Sequence, residues 1–379
     1  MSPEGLAYGV RPAAFLGELA RLDLPAMIQR AAARAAAAPL EIPLSLEAAA
    51  GLLVNRSAPP LGEILERARG LTDRSFGRSI LIYAPCYLSS FCVNHCRYCG
   101  FNFTMAIPRR CLTPEEASQE IAIIAERGIR RLLLVAGDHP SRTTAGYIEQ
   151  VIRGARDLVP EVDLEVAPGP TRFYRSWARA GAGGLVCYQE TYDPDWYGWL
   201  HPRGPKRVYE TRLGALERAG AAGMKRMGLG ILLGLADPVR DLLALIAHAR
   251  FLALLYPDAS ITMSLPRLQP AVPSFQPAYA IDDASLVRFY AVLRLAVPRA
   301  GLVVSTREAP QMRRRLLDAG VTQMSAGSVT VPGGYSHAEA EGGQFAVADR
   351  RSVEEVAADL GSLGYAVCWR TTDLRARAC

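Results

Sequence analysis

From about residue 79 onward, short apolar runs alternate with longer stretches whose apolar residues recur at helical spacing. This alternation predicts βα units built around a parallel sheet. The predicted strands cover residues 79–84, 131–136, 162–167, 184–188, 226–233, 260–265, 301–306 and 321–325. Eight strands with helical crossovers favour an α/β fold of the (β/α)8 TIM-like barrel type, with an open doubly wound sheet as the alternative.

The stretches between the strands predict amphipathic helices over 113–127, 144–158, 206–222, 238–255 and 282–297. The first of them has the clearest start. Thr113 and Glu116 have the spacing of a capping box, and Pro114 suits the first helical position.

The two ends of the chain extend the predicted barrel. Helical patches at 13–21, 24–38 and 61–71 precede the first strand, and a Gly-rich loop over 326–351 leads into a last helix at 353–363. We therefore expect an N-terminal helical extension over 1–78, a barrel over 79–325, and a C-terminal loop and helix over 326–379 that close the barrel.

Composition and charge narrow the classes of function. Half of the residues are hydrophobic and 21% are charged, so the chain can bury a large core. The net charge of +6 comes from arginines scattered among acidic residues, and we expect no nucleic-acid partner. Glu4 and Arg34 interrupt any secretory or membrane-spanning segment, so we expect a cytoplasmic protein with no membrane partner.

Three of the eight cysteines, Cys92, Cys96 and Cys99, lie within eight positions, after the first predicted strand. A disulfide framework is not expected in a chain of this size without an export signal, so metal binding is the first hypothesis. Three thiolates can hold three corners of a [4Fe–4S] cubane and leave one iron open to a substrate or cofactor. The alternative is a zinc ion, with His95 as a fourth ligand.

The spacing of these cysteines, with Tyr98 before the last one, resembles the cluster motif of the radical SAM (S-adenosylmethionine) superfamily. Segments at 84–89, 188–192, 200–206, 228–235, 266–270 and 305–308 resemble its aromatic amino-acid lyases, over about residues 60 to 370. The nearest resemblance is to the tyrosine lyases of thiamine thiazole biosynthesis. The tyrosine lyases of hydrogenase maturation share segments 332–335 and 343–345, but the tail here lacks their cysteine motif for a second cluster.

This resemblance implies a [4Fe–4S] cluster on the three cysteines and SAM on its open iron. SAM is then cleaved to methionine and a 5′-deoxyadenosyl radical, which takes a hydrogen from the amino group of tyrosine, and the Cα–Cβ bond breaks to give 2-iminoacetate and p-cresol. Tryptophan or another amino acid is the alternative substrate, and a zinc-stabilised barrel without catalysis is a further alternative. The implied partners are a reductant such as flavodoxin or ferredoxin, and thiazole synthase.

The same resemblance implies residues that bind the cofactor. Gly137 and Asp138 stand where the family has a Gly-Glu pair that receives the SAM amino group, although aspartate is one methylene shorter. Asp138 could instead cap a helix. Glu165, Glu190 and Tyr98 are further expected cofactor contacts, and for the two glutamates the alternative is pairing with a barrel arginine.

On the substrate side, Arg307 matches a residue that clamps the substrate carboxylate, a task suited to its planar fork of donors. Ser325 matches a hydroxyl that assists Arg307, and Tyr87 matches an aromatic contact to the amino-acid head or, alternatively, belongs to the core. For the remaining residues we expect structural roles or positions near the site. Cys86, Cys111 and Cys187 should be buried as small hydrophobic side chains. His139 should lie close to the site, and His201 should lie in a structural turn.

Overall fold

The computed structural model describes residues 13–34, 41–55, 57–272, 275–337 and 342–376. The strands are β1 (Ser79–Ser89), β2 (Arg131–Ala136), β3 (Glu161–Glu165), β4 (Gly184–Val186), β5 (Arg226–Gly230), β6 (Ser260–Ser264), β7 (Gly301–Val304), β8 (Gln323–Ser325) and β9 (Ala366–Cys368). The first eight are parallel and pair in sequence order, and β1 also pairs with β2. This ring confirms the predicted (β/α)8 barrel.

Four helices lie before the barrel: α1 (Ala14–Arg21), α2 (Leu24–Ala33), α3 (Leu46–Val54) and α4 (Leu61–Phe76). The predicted helix 24–38 ends at Ala33, and part of its expected end lies outside the described residues. Helix α3 was not predicted. It packs with α2 on one side and on the barrel helices α11 (Pro238–Leu255) and α12 (Asp283–Ala296) on the other. The extension is therefore helical and covers the outside of the barrel.

The other helices are α5 (Pro114–Glu126), α6 (Ala145–Leu158), α7 (Thr171–Ala180), α8 (Pro194–Leu200), α9 (Tyr209–Leu213), α10 (Ala215–Ala221), α13 (Pro310–Asp318), α14 (Val353–Ser362) and α15 (Thr371–Ala376). The capping box of Thr113 and Glu116 is present at the start of α5. Within the described ranges, no helix has the length and apolar character needed to cross a lipid bilayer.

The predicted continuous helix over 206–222 is wrong. A 3-10 turn at Pro205–Arg207 is followed by the separate helices α9 and α10. Val208 is extended, with φ −82° and ψ 95°, and Gly214 lies between the two helices. This break leaves Lys206 in a turn, from which its side chain reaches the mouth of the barrel.

Strand β1 is longer than the predicted 79–84 because its upper half, from Ala84 to Ser89, pairs with β2. Its lower half pairs with β8 on one edge and with β9 on the other, since Leu81 has partners in both strands. The cysteine loop therefore begins at the rim of the barrel, directly after a strand held on both edges.

The floor of the barrel is closed by charged residues and by the C-terminal segment. Asp163 accepts hydrogen bonds from Arg131 (Nε, 3.0 Å) and Arg226 (Nε, 2.8 Å). Thr371, at the start of α15, donates its N–H and its hydroxyl to Glu161, at 2.9 and 2.7 Å. The opposite rim carries the cysteine loop and the candidate site.

The division of the chain at residues 78 and 325 stays a proposal.

Candidate cluster and cofactor site

The cysteine loop has no regular secondary structure, and one arginine satisfies much of its main chain. The guanidinium of Arg109 donates to four carbonyl oxygens: those of Ser90 (2.6 Å), Phe101 (3.0 Å), Asn102 (2.5 Å) and Met105 (3.2 Å). Because unpaired carbonyls are costly to bury, these bonds hold the loop in one conformation.

Two glycines allow neighbouring segments to approach the loop closely. A Cβ on Gly137, just after β2, would lie 2.4 Å from the oxygen of Phe91. A Cβ on Gly100 would lie 2.5 Å from the oxygen of Gln344, in the C-terminal loop. Gly137, an expected cofactor residue, therefore also allows the segment after β2 to pack closely against the cysteine loop.

The three cysteines lie in a setting that suits a soft metal cluster. Cys96 is buried and the other two are half-buried. Burial raises the pKa of Cys92 to about 12 and also raises that of Cys96, so a bound metal is required to hold them as thiolates at neutral pH. Side-chain amides face two of the sulfurs: Asn94 Nδ2 lies 3.7 Å from Cys92 Sγ, and Gln344 Nε2 lies 3.9 Å from Cys99 Sγ. Donors of this kind support thiolate ligands of iron–sulfur clusters.

Asp138 is held beside the cysteine loop rather than at a helix. Asn94 donates from Nδ2 to Asp138 Oδ2 at 2.7 Å, and the Asp138 carbonyl accepts from the Val93 N–H at 2.8 Å. Helix α6 is capped by Thr144 instead, so the helix-cap alternative for Asp138 is wrong. His139 follows it at the same rim.

Glu190, four residues after the end of β4, carries a buried charge. It is the only non-glycine residue with a positive φ, 73°, in the described ranges. Its Oε1 lies 2.7 Å from Lys206 Nζ and 3.5 Å from Arg212 Nη2. Burial would raise the pKa of Glu190, but the two cations outweigh it and lower the pKa to about 2. Glu190 is thus ionised and paired at the mouth.

Glu165, at the end of β3, differs from Glu190 because it forms no hydrogen bond or ion pair with another described residue. Burial raises its pKa, the charge of Glu190 raises it further, and Arg307 opposes both. The alternative of a structural pair with a barrel arginine is therefore wrong for Glu165, and its carboxyl group is available to a ligand.

Tyr98 is buried within the cluster motif, and its hydroxyl has a structural partner. It lies 2.9 Å from His201 Nε2, while His201 Nδ1 lies 2.8 Å from the carbonyl oxygen of Tyr197. A carbonyl only accepts, so Nδ1 carries the proton and Tyr98 donates to Nε2. A cofactor contact by Tyr98 would therefore use its ring or its main chain, and His201 has a structural role.

The expected substrate residues gather under the C-terminal loop. Tyr87 donates from its hydroxyl to Gln344 Oε1 at 2.8 Å, and the guanidinium carbon of Arg307 lies 3.4 Å from the ring centroid of Phe345. Arg307 forms no ion pair with a described carboxylate. Ser325 is buried and accepts from the N–H of Thr306 at 3.1 Å, one residue before Arg307.

Residues 342–351 reach this position because Asp349 anchors them. Its carboxylate pairs with the buried Arg313, and Arg351 donates to it from Nη2 at 2.6 Å. The N–H groups of Ala348 and Asp349 both donate to the carbonyl of Thr306, at 2.9 and 3.1 Å. The C-terminal loop is therefore part of the site.

Sequence reasoning assigned no role to several residues of this site: Asn94, Arg109, Lys206, Arg212 and Gln344. Asn94 lies inside the cysteine motif, and Lys206 and Gln344 lie in segments already recognised as family-like, so the signal was present. Among the cysteines expected to be buried, Cys86 and Cys187 are buried, but Cys111 is only half-buried because it lies at the edge of the rim.

A cavity of about 740 Å³ opens beside the cysteine loop. Its polar wall includes Asp138, Lys206 and Arg212, and its apolar wall includes Phe173 and Trp177. This volume lies in the range of pockets that hold a small cofactor, and charged groups line the side next to the cysteines.

Known proteins are similar to this chain in sequence and in fold. The family model of the radical SAM superfamily matches residues 86–249, and that of the biotin and thiamin synthesis associated domain matches residues 264–366. The chain is 35% identical to 2-iminoacetate synthase of Escherichia coli over 314 residues, 83% of each chain. It is 34% identical to 2-iminoacetate synthase of Salmonella typhimurium over 331 residues, 87% of this chain and 88% of that one.

Solved structures agree with these matches. The FeFe-hydrogenase maturase HydG from Carboxydothermus hydrogenoformans superposes with a TM-score of 0.83 at 34% identity, covering 94% of this chain and 82% of that one. Methylornithine synthase (PylB) has a TM-score of 0.72 at 20% identity, over 93% of this chain and 99% of that one, which shows the shared fold.

The matched superfamily decides between the two metals considered for the cysteine trio. The buried thiols, the amide donors at two of the sulfurs and the charged cavity beside them fit an iron–sulfur cluster with a small cofactor. The chain therefore belongs to the radical SAM superfamily, within the family of 2-iminoacetate synthase, as a carbon–carbon lyase that uses a [4Fe–4S] cluster and SAM.

Proposed function

We propose that this enzyme cleaves the Cα–Cβ bond of L-tyrosine to give 2-iminoacetate and p-cresol, and that 2-iminoacetate serves the thiazole moiety of thiamine. The relatives named 2-iminoacetate synthase support this proposal over most of the chain. The observation that carries it is Arg307, a guanidinium at the mouth of the barrel without a described carboxylate partner, beside the Tyr87–Gln344 hydrogen bond.

The residues have separate tasks in this proposal. Cys92, Cys96 and Cys99 hold the cluster, and Asp138, already oriented by Asn94, receives the amino group of SAM. Glu165, Glu190 and the Tyr98 ring line the cofactor side. When bound, the cluster and SAM supply an electron and a carbon radical that abstracts hydrogen from the substrate.

On the substrate side, Arg307 binds the carboxylate of tyrosine through two parallel hydrogen bonds. Phe345 packs on the other face of this guanidinium and restricts its orientation. Tyr87 contacts the amino-acid head, and Ser325 fixes the main chain that carries Arg307. Together these contacts would set the Cα–Cβ bond of tyrosine in one orientation.

Product identification tests the proposal. Anaerobically reconstituted enzyme, reduced with dithionite, is incubated with SAM and either tyrosine or tryptophan, and the products are analysed by mass spectrometry. We expect p-cresol from tyrosine. An indole product from tryptophan, with no p-cresol, would reassign the substrate and contradict the proposal.

A second experiment tests the role of Arg307. Arg307→Lys keeps the charge but removes the fork of donors, and loss of a charge-assisted pair costs about 1.5–3 kcal/mol. We expect KM for tyrosine to rise by roughly ten- to a hundredfold. Arg299→Lys, at an exposed position on the opposite rim, is the control. Equal KM values in the two variants would remove Arg307 from the substrate site.

The hydrogenase maturase gives a second candidate, a related tyrosine lyase that differs in its number of clusters. In this chain, Cys368 is buried in β9. One cluster predicts about four irons per chain after anaerobic reconstitution, and two clusters predict about eight. Zinc without iron would instead favour the non-catalytic alternative.

A further inference from the structure

The outer surface of the cysteine loop carries two exposed aromatic rings. His95 and Arg97, on either side of the buried Cys96 in the chain, lie at this outer surface. His95 stacks on Phe103, with ring centroids 5.1 Å apart, and the guanidinium of Arg97 lies 4.6 Å from the ring centroid of Trp199. Phe103 is 58% exposed and Trp199 is 48% exposed.

The main chain ties these side chains rigidly to the cluster motif. Phe103 donates its N–H to the carbonyl of Asn94 at 2.9 Å, and Arg97 Nε donates to the carbonyl of Trp199 at 2.8 Å. Large exposed aromatic rings next to arginine are typical of protein interfaces rather than of free surface. Because they are fixed in place, these rings would lose little conformational entropy on binding.

The charge of this surface indicates what binds there. Arg97 is exposed, and the exposed Arg203 is joined to the loop by its carbonyl, which accepts from the His95 N–H at 3.1 Å. Asp195 contributes an acidic side chain at the start of α8, and Asp193 is already paired with Arg240. The balance is basic, which complements an acidic partner. We call the surface formed by His95, Arg97, Phe103, Trp199 and Arg203 the loop face.

We propose that the loop face docks the protein that reduces the cluster, a small acidic one-electron carrier. This inference rests on the need for a reductant in the proposed function. The carrier loses one electron and the cluster gains it, with no transfer of atoms. The loop face lies beside the cluster motif, since His95 and Arg97 flank Cys96 in the chain, so a carrier seated there would be close to the cluster.

Two substitutions test the docking site. Phe103→Glu places an acid in the loop face without removing a hydrogen bond of the loop, and Arg97→Glu reverses its exposed charge. The matched controls are Leu254→Glu and Arg179→Glu, at exposed positions near the ends of α11 and α7 on the opposite rim. All chains carry the reconstituted cluster.

The rate of cluster reduction is followed anaerobically by loss of visible absorbance and by electron paramagnetic resonance. The reductants are a reduced flavodoxin, a reduced ferredoxin, and dithionite. We expect both loop-face variants to be reduced roughly tenfold more slowly by at least one carrier at low salt, and this difference to shrink at high salt. The rates with dithionite and the rates of both controls should match the unmodified enzyme.

The proposal is overturned if the loop-face variants and their controls are reduced at equal rates by both carriers, or if dithionite reduction slows as much as carrier reduction. It is equally overturned if sedimentation shows that the chain is a dimer and that either loop-face substitution dissociates this dimer. The assay contains no amino acid and measures no product. A failure to form p-cresol would therefore leave this result unaffected.

Discussion

Replacing Glu190 with glutamine should destabilise the folded chain by about 3 kcal/mol at pH 7. Lys206 and Arg212 hold the pKa of this buried carboxyl group at about 2, against an ordinary value of 4.5. That difference corresponds to about 3 kcal/mol in favour of the charged form. In other proteins, removing one partner of a buried ion pair lowers the free energy of unfolding by about 3–5 kcal/mol, similar to the value obtained here from the pKa.

The assay is urea unfolding of both chains at pH 7, followed by circular dichroism under anaerobic conditions. Glu63→Gln is the control, because the side chains of Glu63 and its partner Arg67 are both 45% exposed, and we expect a loss of at most about 1 kcal/mol there. If Glu190→Gln loses no more stability than Glu63→Gln, the reasoning about the buried charge is refuted.

The same pair predicts a dependence on pH. Since the folded pKa of Glu190 is lowered, its stabilisation is complete above about pH 4.5 and is lost as the pH falls through about 2. The unmodified chain should therefore lose about 3 kcal/mol more than Glu190→Gln across this window. Equal losses in the two chains would contradict the assigned ionisation.

Two further changes test the cysteine loop. Gly137→Ala places a Cβ 2.4 Å from a carbonyl oxygen of this loop, so we expect less iron per chain after reconstitution. The control Gly146→Ala, with open space around it, should bind as much iron as the unmodified chain. Equal iron contents in the two variants would contradict the packing argument. Gln344→Ala leaves the Tyr87 hydroxyl without its acceptor and Cys99 without an amide donor. We expect the free energy of unfolding to fall by about 1–3 kcal/mol and the reduction potential of the cluster to become more negative. Redox titration followed by electron paramagnetic resonance measures the potential, and an unchanged potential would exclude the contact with sulfur.

The barrel could be predicted because each strand is a short apolar run that the sequence displays locally. The exceptions have local causes. Pro85 is typical of a strand end, yet β1 continues to Ser89 because residues 84–89 pair with β2. The three-residue strand β9 is too short to give a pattern, and it forms only because the lower edge of β1 is open to it.

The candidate site was predictable where its chemistry lies in one continuous motif. The cysteine trio is such a motif, whereas the pairing of Glu190 with Lys206 depends on a turn that replaced a predicted helix. The contact of Gln344 with Cys99 joins residues 245 positions apart. Neither periodicity nor composition encodes contacts of this kind, because they exist only after the barrel has closed.

That long separation has a consequence for how the enzyme matures. During synthesis, the cysteine loop leaves the ribosome long before residues 342–351 and β9, which complete its surroundings. Until they arrive, Tyr87 lacks its acceptor, Cys99 lacks its amide, and β1 has an open lower edge. We therefore expect iron and sulfide to be retained only after these residues have been added, so that a nascent chain ending before residue 342 would release a cluster that a chain extending through β9 keeps.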